Sequence, residues 1–171
     1  LAVTGLLMAL LFGSMGLARH YALRAIINSQ AEDFGTLWFG LLLEGSTLTA
    51  HQLVMDPKQR VSPNVILSEQ YENDVQLRDT LTKFTSEELI QDVLANKDQV
   101  TFTLVDNLSH ARDRQTITIR QMYHVTFQED GATRIVPLEL NISCQFDKTS
   151  SPPQTYWTIT DYREVSRVDN G

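Results

Sequence analysis

The sequence holds a single cysteine, Cys144, so no disulfide can form within the chain and no metal site can be built from cysteines. Cys144 sits at an apolar parity position of a strand, which reads as a small buried hydrophobe and argues against a nucleophile. The chain has no Gly-rich phosphate loop and no Gly-x-Ser-x-Gly elbow. Its four histidines, His20, His51, His110 and His124, never recur at helical ligand spacing. No catalytic, cofactor-binding or metal-ligating set is therefore assigned, and no cofactor is implied. Lys and Arg are scattered, so a phosphate-binding face is lacking and nucleic acid is not an expected partner.

Charge is also missing from Leu1 to Ala18, where only Thr4 and Ser14 interrupt an apolar run. Eighteen such residues sit at the lower edge of a membrane-spanning helix. A signal-peptide core ending at Gly16-Leu17-Ala18 and a buried core helix compete with that reading. Gly5, Gly13 and Gly16 suit close helix contact inside a bilayer. Arg19, His20 and Arg24 follow at once. Residues 1–30 carry a charge of +2 and the whole chain −7, so the remainder carries −9. Positive residues beside a span favour the cytoplasmic side, and a basic cytoplasmic head with the domain outside is equally consistent; the expected placement is a single-pass membrane protein with an extracytoplasmic, periplasmic domain.

What is present is strand-like. Thr116 to Phe127 alternates strictly, with Ile117, Ile119, Tyr123, Val125 and Phe127 on one face and Thr116, Thr118, Arg120, His124 and Thr126 on the other. Its length predicts a twist or a bulge. Glu129-Asp130-Gly131 marks a hairpin. The partner strand runs from Ile135 to Phe146, with Leu138, Leu140, Ile142, Cys144 and Phe146 sharing a face. Val100–Val105 precedes this pair, with Asn107–Arg114 as a polar turn, and Tyr156–Val165 closes the set. Trp157, Phe127, Ile119 and Leu140 are expected beneath the helices.

Helices fill the first half. Tyr21–Asn28 continues the first one, and Glu32–Leu43 carries Phe34, Leu37, Trp38, Leu41 and Leu42 at helical spacing before Gly45. A short helix from Ser46 or Thr47 reaches Met55, and another spans about Val65 to Leu81. Thr85-Ser86-Glu87-Glu88 reads as a capping box for a helix ending near Asn96. The expected class is α+β: an N-terminal transmembrane helix, then helices packed on a four-stranded, mainly antiparallel, curved sheet. Residues 1–29 form the anchor and juxtamembrane helix, and 30–171 the soluble domain, with helices over 30–96 and the sheet over 99–168.

Polar residues on an inward strand face are the candidate pocket. Gln121 interrupts the apolar parity of its strand beside Tyr123, and Asp161 and Arg163 share parity with Trp157 and Ile159. The competing reading is a bulge that flips the parity before Asp161. Arg120, His124 and Glu139, on the polar face of the sheet, and Gly13 and Gly16 are candidate partner contacts. Asn107-Leu108-Ser109 and Asn141-Ile142-Ser143 are short sequons.

The helix with Phe34, Leu37 and Trp38, the strands 116–127 and 135–146, and the closing Tyr156-Trp157-Thr158-Ile159-Thr160-Asp161-Tyr162 resemble nuclear transport factor 2-like and cystatin-like folds over about residues 30–168. With the anchor, the chain looks like the inner-membrane scaffold subunits of type IV secretion systems, or like uncharacterised single-span bacterial proteins. The resemblance implies a non-enzymatic accessory or scaffold subunit whose partners are the lipid bilayer and other subunits of a membrane complex. It also implies an alternative, a small-ligand-binding domain or small hydrolase or isomerase using the cone of the sheet. Enzymes of this superfold place Asp and His in the cone; the resemblance implies that only Asp161 and His51 could serve there, and no matching pair stands in this sequence.

Overall fold

The computed structural model describes residues 2–61, 66–113, 115–129, 131–149 and 151–165, and for residues 2–18 and 20 the backbone alone. Five helices precede four strands: α1 (Ala2–Leu43), α2 (Thr47–Val54), α3 (Leu67–Asn73), α4 (Val75–Thr85), α5 (Glu88–Ala95), β1 (Val100–Arg112), β2 (Thr116–Glu129), β3 (Ala132–Asp147) and β4 (Gln154–Glu164). The class is α+β.

α1 is one unbroken helix of 42 residues. The expected division into an anchor, a juxtamembrane piece and a helix beginning at Glu32 is absent, because no helix breaker stands between Ala18 and Glu32. The expected transmembrane helix is corrected as well. Among the described residues no helix is long and apolar enough to cross a membrane. Beyond Ala18 the same helix carries Arg19, Arg24, Glu32 and Asp33 and belongs to the folded domain. The side chains of residues 1–18, on which the spanning reading rested, lie outside the described residues.

The end of α1 follows its sequence closely. Gly45 adopts φ +77, its N–H donates to the Leu42 carbonyl at 3.0 Å, and the Ser46 N–H donates to Leu41 O at 2.8 Å. This pair of bonds is the Schellman closure, which needs a residue free to take positive φ. Asp74 divides what the sequence suggested was one helix. Its carboxylate accepts from the Leu77 N–H at 3.1 Å, so it caps α4 and ends α3. The expected capping box at Thr85 does not form. Thr85 instead closes α4, its hydroxyl donating to Leu81 O and Thr82 O, and Glu87 precedes α5 without a side-chain cap.

The strands form a meander in the order β1-β2-β3-β4, antiparallel throughout. β2 pairs with β3 without a register shift, and Gly131 at φ +85 turns the hairpin between them. The irregularities lie in the outer strands. β1 runs past Val105 to Arg112 through shifts at Leu104/Asp106 and Asn107/Ser109, so the expected polar turn is largely strand. A third shift, at Asn141/Ile142 against β4, has consequences for the candidate site.

The helices cover one face of this sheet. Ala31, Trp38, Phe39 and Leu42 recur at helical spacing and bury one stripe of α1. Against them stand the inward residues of β2 and β3: Ile117, Ile119, Tyr123, Val125 and Phe127, with Leu138, Leu140, Ile142 and Cys144. Phe39 stacks on Phe102 of β1 with ring centroids 3.5 Å apart and meets Tyr123 edge-on at 5.4 Å. Trp157 is a correction to the expected core list. It is half-buried at the border, 6.1 Å from the Phe34 ring, whereas Phe127, Ile119 and Leu140 are fully enclosed.

Phe127→Ala should therefore destabilise the fold by about 3–5 kcal/mol, the usual range for an enclosed aromatic. Trp157→Ala should cost clearly less, since part of its surface already meets water. Urea unfolding of both variants checks the order; equal losses would place Trp157 in the core after all.

Candidate functional site

Three polar constellations stand out among the described residues: one inside the sheet, one within the helical layer, and one on the sheet's uncovered face.

The interior one grows from β2. Its alternation brings Gln121 inward between Ile119 and Tyr123, and Gln121 is 0 % exposed. A buried amide must be hydrogen-bonded or it costs free energy. The Tyr123 hydroxyl donates to Gln121 Oε1 at 3.0 Å. Gln121 Nε2 donates to Asn107 Oδ1 at 2.8 Å and to the Asn28 carbonyl of α1 at 3.3 Å. Gln121 thereby ties β1, β2 and α1 together. Burial, followed by the charges of Glu32 and Asp33, pushes the Tyr123 hydroxyl well above its ordinary value, so it stays protonated and donates. Gly35 makes room for this hydroxyl: a Cβ built there would lie 2.7 Å from Tyr123 Oη and 3.2 Å from Leu140 Cδ2.

His51 lies elsewhere, on α2. It is buried, with Nδ1 2.6 Å from the Tyr71 hydroxyl of α3 and its ring 5.3 Å from that of Phe84. Gln52 Nε2 donates to the same hydroxyl at 2.6 Å. Burial lowers the His51 pKa and raises that of Tyr71, against which the Gln52 hydrogen bond works. His51 therefore belongs to a packed helical contact and is not grouped with Gln121 and Tyr123.

Asp161 is not in the interior either. The register shift at Asn141/Ile142 pairs Ile159 with Ile142 but Asp161 with Asn141, so one additional residue of β4 flips the parity after Ile159. Tyr162 turns inward against Trp38, 5.0 Å between centroids, while Asp161 and Arg163 face out. Asp161 Oδ2 accepts weakly from Asn141 Nδ2 at 3.4 Å. Of the four candidate pocket residues, the structure brings together only Gln121 and Tyr123.

The outward face gathers the remaining candidates. Glu139 of β3, at an outward parity position, is only 6 % exposed. Arg163 Nη2 of β4 donates to Glu139 Oε1 at 2.7 Å, and Arg120 Nη1 of β2 stands 3.9 Å from Glu139 Oε2. One carboxylate thus links two guanidinium groups across three strands. Arg163 is exposed and Arg120 partly so, with its Nε buried and unpartnered, so the ion pairs add little stability. His124 lies on the same face, opposite Pro137. Gly13 and Gly16 fall where side chains are not described. The sequence reading missed Arg163 as a contact residue, because only the bulge brings it beside Glu139. It also missed Tyr71, Gln52 and Arg60, whose partners lie far along the chain.

Nothing in these arrangements aligns a nucleophile with a base. Among the described residues no three His, Cys, Asp or Glu side chains come together in a set that could hold a metal ion. Burial pushes the Cys144 thiol up, away from the thiolate that reactivity needs.

The interior geometry predicts a specific coupling. Gly35→Ala should cost about 1–3 kcal/mol, since the new methyl group overlaps the Tyr123 hydroxyl. In a Tyr123→Phe background that cost should shrink, because the overlapping oxygen is gone. A double-mutant cycle by urea unfolding measures this, and strictly additive losses would show that the close approach is not the cause.

No family model, no curated protein and no solved structure matches this chain.

Proposed function

We propose that this domain works by contact and not by turnover, as a non-enzymatic accessory or scaffold subunit of a larger protein complex. The observation that carries the reading is the filled interior of the sheet. Gln121 occupies the centre of the cone and spends its amide hydrogen bonds on Tyr123, Asn107 and Asn28. Polar groups that recognise a ligand must have bonding capacity directed into a cleft. Here that capacity is directed into the fold itself.

The outward face of the sheet supplies the docking surface in this reading. It presents Thr116, Thr118, Arg120, Met122, His124 and Thr126 half-exposed along β2. Short Thr side chains leave a flat surface, and the Arg120–Glu139–Arg163 link fixes two guanidinium forks on it. Arginine held by packing and ion pairing loses less rotamer freedom on association, and it is enriched among residues that dominate interfaces. Asp161, beside Asn141, extends the same surface.

The test is recovery of the native complex with the full chain as bait. Arg120→Ala combined with Arg163→Ala should weaken association by about 2 kcal/mol or more, roughly thirtyfold. Glu72→Ala, on the exposed side of α3, should leave recovery unchanged. Equal recovery by all three proteins would remove the outward face as the docking surface.

A further inference from the structure

A directed chain of hydrogen bonds runs through the helical layer. The Val61 N–H donates to Gln52 Oε1 at 2.9 Å. Gln52 Nε2 donates to the Tyr71 oxygen at 2.6 Å. The Tyr71 hydroxyl lies 2.6 Å from His51 Nδ1 and 3.6 Å from Met55 Sδ, and the ring nitrogen, when it carries no proton, is the stronger acceptor of the two. In that tautomer the chain ends on His51 Nδ1. Next to Val61, Arg60 Nη2 donates to the Trp157 carbonyl at 2.5 Å and to Thr158 Oγ1 at 2.7 Å. The segment 56–61 is therefore fastened at one point to α2 and at the next residue to β4.

We propose that His51 is the acid-sensitive pin of this clasp: protonation at Nδ1 removes the terminal acceptor and frees Val61 from α2, loosening residues 56–61. An imidazolium there would direct a hydrogen at the Tyr71 hydroxyl, which would have to turn its proton to Met55 Sδ, 3.6 Å away and a weak acceptor. The groups around the ring offer the charge no compensation. Gln52 and Met55 come from its own helix, Tyr71 from α3 and Phe84 from α4. The titratable Tyr162 of β4 lies behind Phe84, at 6.4 Å, and beside Glu87. Burial is the sole cause that moves the His51 pKa, and it moves it down from 6.5, so no carboxylate of α1, α3, α4 or β4 counteracts it. The sign follows from linkage. A ring held neutral in the fold contributes its full stability above the unfolded value of 6.5 and loses it as pH falls below. The consequence is local: acid should loosen the clasp while the sheet core holds.

Amide hydrogen exchange on the full chain at about pH 7.5 and about pH 5.0, corrected for intrinsic rates, tests this. Protection of Val61 relative to that of Ile119 should fall as pH drops below 6.5, by up to roughly tenfold per pH unit, and level off once the folded pKa is passed. In His51→Gln, which keeps an acceptor but cannot titrate, the ratio should not change with pH. A constant ratio in the unmodified chain, or the same fall in His51→Gln, would overturn the proposal. Direct titration of the His51 ring by NMR does not depend on a variant folding: a value below 6.5 supports the pin, and one at or above 6.5 sinks it.

Discussion

The packing of the second half of α1 across the inner face of the sheet is the constraint on which the rest depends. Trp38, Phe39 and Leu42 are enclosed there, and Phe39 alone engages both Phe102 and Tyr123. An antiparallel sheet with one apolar face cannot stand alone, because that face must leave water. Once α1 is seated, the Asn28 carbonyl comes within reach of Gln121, and the Gly35 backbone comes close to the Tyr123 hydroxyl. This polar centre is thus a product of the helix position, and the bonds of Gln121 in turn fix that position. A buried amide with specific partners penalises any slip of α1 along the sheet, in a way that an all-apolar interface would not.

The two faces of the sheet divide the labour. Inward, the strands give up their polar capacity to neighbours and become a core. Outward, the alternation of β2 leaves a Thr-rich row, and Glu139 holds Arg120 and Arg163 in register without hiding them. The chain carries a net −7, yet this face mixes both signs within three strands. Such a pattern favours orientation and selectivity in association over long-range attraction.

What the sequence disclosed and what it hid follow from the range of the forces involved. β2 and β3 were legible because period-two alternation of Ile, Val, Tyr and Phe is a local property, and the hairpin between them was legible because Gly131 needs positive φ. The α1 terminus was legible for the same reason at Gly45. The break at Asp74 was harder, since one Asp inside a helical pattern serves equally well as a solvent-facing residue or as a cap. The length of β1 was hidden because its bulges scramble the alternation from Asp106 onward. The placement of Asp161 was stated as two alternatives, and a single additional residue at β4 decided for the bulge. The spanning helix failed as an architectural expectation because composition alone does not mark where a helix enters the domain: α1 continues through Arg19, Arg24, Glu32 and Asp33 into the core. The His51–Tyr71 and Arg60–Trp157 contacts join residues 20 and 97 positions apart, beyond any periodicity.

The bulged course of β1 also bears on how the chain behaves in a crowded solution. A meander closed on neither side leaves two strands with unpaired backbone groups, and an uninterrupted edge is a template for strand-by-strand polymerisation. The shifts at Leu104/Asp106 and Asn107/Ser109 break the outer edge of β1 into short stretches, with Asp106 at one break. On the far side, Arg60 already occupies the Trp157 carbonyl of β4. An incoming strand would find neither border ready to receive it along its whole length, so a sheet with strands of up to 16 residues resists edge-to-edge growth without being sealed into a barrel.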